Sequence, residues 1–184
     1  MRIAVALALV LLFSPQVSAV DPLTSPYQRQ AETNLRGLSE SEVADLKAGR
    51  GMGLARAAEL NNYPGPRHVL DAVAAGRLAA SADQIQRVQQ IFDEMNSQAL
   101  SVGAQILDEE QLLEAGFRAA TVTEPDLRSR VLRIATLQGD LRAIHLTAHL
   151  ATRAVLSESQ VARYNELRGY TARPADQQGH EHKH

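Results

Sequence analysis

Apolar positions from Gln84 onward recur at alternating spacings of three and four: Ile85, Val88, Phe92, Met95, Ala99, Val102, Ile106, Leu113 and Phe117, with one position skipped at Glu110. That period puts them on one stripe of a long helix. Residues 116–123 read as a turn, after which Thr123 is placed to cap a new helix and Pro125 is tolerated in its first turn. A facing stripe follows at Leu127, Val131, Ile134, Leu141 and Ala148, broadened by Leu137 and Ile144. Two long helices, 84–116 and 124–155, joined by a short connection must pack antiparallel. One stripe on each helix still leaves apolar surface over. The first helix, the last helix or a second subunit has to cover it.

The helix starts repeat one device. Ser39 with Glu42 makes a capping box, and Leu38 with Val43 occupies the two hydrophobic-staple positions around it. Ser157 with Gln160, flanked by Leu156 and Val161, repeats the arrangement, and Ser81 with Gln84 after Ala80 is a weaker copy. A first helix is predicted over 40–61, with a bend where Gly49, Gly51 and Gly53 weaken it. Tyr63-Pro64-Gly65-Pro66 ends it, a short helix follows over 67–75, and a last one over 158–170. Good helix formers dominate and β-branched runs are missing. The expected fold class is therefore all-α, a long antiparallel hairpin with flanking shorter helices.

The ends of the chain differ from this body. Arg2, the apolar run from Ile3 to Phe13, the break at Pro15 and the small residues Val17-Ser18-Ala19 have the order of a secretory signal peptide cleaved after Ala19. The run is too short to cross a bilayer, which needs ~20 apolar residues. The expected organisation is a signal peptide over 1–19, a flexible polar leader over 20–37, an all-helical domain over 38–172 and a disordered His-containing tail over 173–184. Export places the protein in the periplasm.

Composition removes several functions. With 19 basic against 21 acidic residues, nothing recommends a nucleic-acid partner. The absence of cysteine excludes disulfides, thiolate ligands and a cysteine nucleophile. Trp is absent and aromatics are 4% of the chain, which counts against an aromatic-walled pocket for an organic cofactor. No H-E-x-x-H, no phosphate-binding glycine loop after a strand and no G-x-S-x-G occurs, so the chain does not read as an enzyme.

The chemistry that remains is imidazole. His145 and His149 lie four apart on one helix face, at the edge of the Leu127–Val131–Leu141 stripe, with Gln138 and Thr152 in the same sector. Two neutral imidazoles at that spacing can share one divalent zinc, copper or nickel ion. A turn near Ala120 would set His145 opposite Met95 or Asn96 and His149 opposite Phe92. Met95 would then add a soft thioether, and Glu59 or His68 could complete the set from the first layer or from a dimer partner. The competing reading makes both histidines hydrogen-bonded packing residues. His180, His182 and His184, interleaved with Glu181 and Lys183, suit weak and unselective metal capture.

The helix-start motifs carry a resemblance. Leu156-Ser157-Glu158-Ser159-Gln160 and Ala80-Ser81-Ala82-Asp83-Gln84, set around a long hairpin behind a signal peptide, resemble the paired L-T-x-x-Q motifs of the Spy/CpxP family. Ser stands for Thr in both, and Ala for Leu in the second. The stretch from Gly51-Met52-Gly53-Leu54 to Tyr63-Pro64-Gly65-Pro66 looks like the family's heavy-metal-sensing branch, to which ZraP and CnrX belong. The resemblance spans about residues 38–170. It implies a curved, all-helical homodimer in the envelope stress response. Such a protein either holds unfolded clients as an ATP-independent chaperone, or binds a transition metal and reports it to a membrane-bound sensor. Metal-sensing relatives carry a His-x-x-x-Met or His-x-x-x-His pair on the corresponding helix, where His145 and His149 stand here. This chain departs from them in lacking their full N-terminal ligand set.

Overall fold

The computed structural model describes Ser25, Tyr27 and residues 35–170. The expected signal segment and its cleavage site, most of the leader, and the tail with His180, His182 and His184 lie outside the described residues. Among the described residues every regular element is a helix: α1 Glu40–Lys47, α2 Arg56–Glu59, α3 Pro66–Ala74, α4 Ala82–Arg118, α5 Glu124–Val155 and α6 Glu158–Arg168. No described helix is long and apolar enough to cross a membrane.

The body is the antiparallel pair α4 and α5, reversed by residues 119–123. Its mid-section buries Ala99, Ile106, Leu107, Leu137 and Leu141 together with Leu46 of α1. Leu38 and Val43 pack on this cluster from either side of the Ser39 cap, as a staple requires. α1 approaches α4 closely because Gly103 offers no side chain: a Cβ there would lie 2.6 Å from the Leu46 carbonyl oxygen. A second cluster, Val69, Leu78, Val88, Leu156, Val161 and Tyr164, ties α3 and α6 to the open end of the hairpin.

Two capping boxes meet at that open end. Ser81 and Ser157 each accept a hydrogen bond from the backbone N–H three residues on, and the Gln84 and Gln160 side chains reach back to the N-cap amides. The same two glutamines pair with each other. Gln84 Nε2 donates to Gln160 Oε1 at 2.9 Å, and Gln160 Nε2 donates to Gln84 Oε1 at 3.0 Å. Each also donates to a backbone carbonyl, Gln84 to Val155 and Gln160 to Ala79. The repeated motif therefore caps two helices and joins them through its glutamines.

Several expectations are corrected. The single bent helix over 40–61 is two helices separated by an irregular segment, 48–55. Gly49 and Gly53 take positive φ of 61° and 74°, and Met52 follows at 44°. Three left-handed residues in five end a helix rather than bend it. The leader does not stay apart up to Gly37: Leu35 packs on the first cluster and Arg36 pairs with Glu114 at 2.6 Å. Phe117 and Val131, expected in the facing stripes, are 55% and 47% exposed. Phe117 lies in the last turn of α4, beside the 119–123 connection at the end of the hairpin. Gln138 is exposed too, whereas Thr152 is fully buried and bonds its own helix at the Ala148 carbonyl.

Candidate metal centre

His145 and His149 both face inward from α5, at 4% and 7% exposure. They line a cavity of about 740 Å³ between α5, α4 and the segment running from Ala48 to His68. Met95 and Asn96 of α4, Phe92 one turn earlier, Glu59 of α2 and His68 of α3 line the same cavity. The hairpin register thus brings Met95 and both α5 histidines to one space, and the first layer brings Glu59 and His68 to its rim. The cavity also draws in residues the sequence pattern did not single out, among them Arg67 and Tyr170.

Each histidine is set differently. His149 Nδ1 lies 2.7 Å from the Tyr63 carbonyl oxygen. A carbonyl only accepts, so Nδ1 carries the proton, and in the neutral ring Nε2 is left as the lone-pair nitrogen. Such a backbone bond is the usual way a ligating imidazole is oriented from behind. The segment Tyr63-Pro64-Gly65-Pro66 supplies both that carbonyl and a close backbone approach to the Cε1–Nε2 edge of the ring. A Cβ at Gly65 would lie 3.0 Å from His149 Cε1 and 3.1 Å from Nε2, with His68 Cδ2 at 3.8 Å. His145 Nε2 is buried without a hydrogen-bond partner, an uncommon state for a buried polar atom. A Cβ on Gly51 would lie 3.6 Å from His145 Nδ1, an ordinary contact distance, so the 48–55 segment packs against that ring.

The electrostatics favour neutral imidazoles. Burial, reinforced by His149, holds His145 below the usual histidine pKa. Burial and the Arg168 guanidinium do the same for His68. Glu59 is committed elsewhere: its Oε1 accepts from Tyr164 Oη at 2.9 Å, Tyr170 Oη at 2.8 Å and Arg168 Nε at 3.0 Å. Burial alone would raise the Glu59 pKa, but the bonds from Tyr170 and Tyr164, together with Arg168, outweigh it and keep the carboxylate ionised. The remaining charged lining groups, Arg50, Arg56 and Arg67, are cationic.

Among the described residues no group of three or more His, Asp or Glu side chains is arranged to hold a metal ion. Glu59 and His68 therefore line the cavity without joining the α5 pair as a ready-made ligand cluster. The donors that fit an ion are the two α5 imidazoles and, across the hairpin, the Met95 thioether. Of these, His145 Nε2 is left without a hydrogen-bond partner. Comparison with known protein families, curated proteins and solved structures gave no match to this chain.

Proposed function

We propose that this chain is a metal-responsive accessory protein of the bacterial envelope, of the Spy/CpxP type, that binds a transition-metal ion through His145 and His149. One observation carries the reading. His149 is oriented from behind by the Tyr63 carbonyl, which leaves Nε2 as its lone-pair nitrogen, and it lines one cavity with His145, whose buried Nε2 has no hydrogen-bond partner. A merely structural pair would spend its nitrogens on protein partners. An ion held there would lie between α5 and the segment that joins α1 to α3, so occupancy would tie the first layer to the hairpin. That layer is the element that would report occupancy to a membrane-bound sensor or to a second copy of the chain.

The test is calorimetric titration of the full chain carrying His180→Ala, His182→Ala and His184→Ala with zinc, nickel and copper ions. One stoichiometric site, abolished by His145→Ala with His149→Ala, is expected. No saturable site for any of the three would refute the reading.

A client-holding chaperone is the second reading. Its support is the exposed apolar set near the hairpin connection, Leu112, Phe117, Val131 and Leu132, the last 69% exposed. The same residues suit burial in a homodimer. Sedimentation at micromolar concentration, with and without Leu132→Glu, separates the two: a dimer that the substitution dissociates assigns the surface to assembly.

A further inference from the structure

We infer that the ion this site selects is monovalent copper, held by His145, His149 and the Met95 thioether. The inference rests on the metal-binding reading above and deepens it. Three features of the cavity separate monovalent copper from the divalent candidates.

The first is the number of donors. Zinc takes four ligands and nickel four to six, supplied by imidazole, carboxylate or thiolate. The cavity offers no cluster of three such groups among the described residues, and the chain has no cysteine. Monovalent copper is satisfied by two or three donors, so two imidazoles and one thioether make a full set for it.

The second is softness. Two thioethers line the cavity, Met52 of the 48–55 segment at 39% exposure and Met95 of α4 at 9%; the buried Met95 is the one held in place by the hairpin. A thioether is a soft ligand. It adds much to copper in the monovalent state and little to zinc or nickel.

The third is charge. Glu59 is the sole carboxylate lining the cavity, and its Oε1 is already shared by Tyr164, Tyr170 and Arg168. Arg50, Arg56 and Arg67 line the same space, Arg50 paired with Asp45 at 2.7 Å and Arg67 with Asp71 at 3.1 Å. A divalent ion held by neutral donors would leave two charges that no carboxylate of the cavity compensates. A monovalent ion leaves one, which halves the repulsion at equal distance.

The experiment is anaerobic competition between the full chain, with His180, His182 and His184 changed to Ala, and the chromogenic copper(I) chelator bicinchoninate. A parallel zinc competition uses a fluorescent zinc chelator. One copper(I) per chain is expected, bound at least about a hundredfold more tightly than zinc. Met95→Leu, a volume-conserving change, is expected to weaken copper(I) about tenfold or more while leaving zinc unchanged. X-ray absorption of the copper(I)-loaded chain that retains Met95 should show one sulfur neighbour beside two imidazole nitrogens. This measurement stands even if Met95→Leu disturbs folding. Zinc binding equal to or tighter than copper(I), or a copper shell without sulfur, would overturn the copper assignment and leave the metal-binding reading in place. Stoichiometric binding of neither ion would overturn both.

Discussion

At Gly65 the backbone is ordinary, with φ −78° and ψ 140°, so alanine meets no strain there. The cost is local: the new methyl would lie 3.1 Å from His149 Nε2. Gly65→Ala is therefore expected to lower metal affinity by about tenfold or more while changing stability by no more than about 1 kcal/mol. Titration and urea denaturation of the same sample check both halves. Gly103 gives the opposite pattern. Its missing Cβ would lie 2.6 Å from the Leu46 carbonyl oxygen, and backbone cannot swing aside as a side-chain tip can. Gly103→Ala should cost about 1–3 kcal/mol of stability, read by denaturation, because α1 must lift from α4. Neither glycine announces itself by local pattern, since both matter through residues remote in sequence.

At the scale of elements, the two motif glutamines do more than cap. Each uses its side-chain oxygen on an N-cap amide and its partner, and its nitrogen on a carbonyl and its partner. Gln84→Ala and Gln160→Ala are each expected to destabilise the chain. A double-mutant cycle should show a coupling of about 0.5–3 kcal/mol, because either substitution already strands the other side chain. A coupling near zero would reduce the pair to two independent caps. Ser39 with Glu42 closes a third box, with Glu42 Oε2 2.8 Å from the Ser39 amide, but it meets no partner box. The long helices were legible because their stripes run for many turns. The break over 48–55 was not, since glycine weakens a helix wherever it sits, and only the docking of Leu46 at one end and Ala55 at the other decides that the chain leaves it.

For the molecule as a whole, buried histidines make stability depend on pH in metal-free buffer. His145 and His68 have folded-state pKa values below the unfolded value near ~6.5. As pH falls through that value the unfolded chain takes up protons before the folded one does. Their contribution is complete above ~pH 6.5 and is lost progressively as pH drops through the depressed folded values. Arg168 and His149 add to the depression at His68, while Glu59 and Asp71 oppose it. Glu59 and Glu42, whose folded pKa values are lowered from 4.5, lose their contribution only in a more acidic window. Urea denaturation between pH 7.5 and pH 5 should show falling stability, and His145→Leu should flatten the slope. An unchanged slope in that variant would show that His145 does not titrate with unfolding. Metal affinity should fall over the same range, because protonated imidazole cannot ligate.

The order, type and approximate ends of α3 to α6 follow from the sequence alone, because cap chemistry and a period of 3.6 are local properties that each segment carries with it. So does the placing of His145 and His149 on one face, and even their approach to Met95, since a hairpin of known turn position has one register. What only the tertiary structure decided is what stands in front of those rings and behind them. The Tyr63 carbonyl fixes the His149 tautomer across 86 residues of chain. Tyr164, Arg168 and Tyr170 return from the far end to occupy Glu59, which sequence offered as a ligand. Gly65 lets the backbone approach the His149 ring where a side chain would crowd it. These are contacts between segments remote in sequence, and no local propensity encodes which carbonyl or which gap a side chain will meet once the layers close.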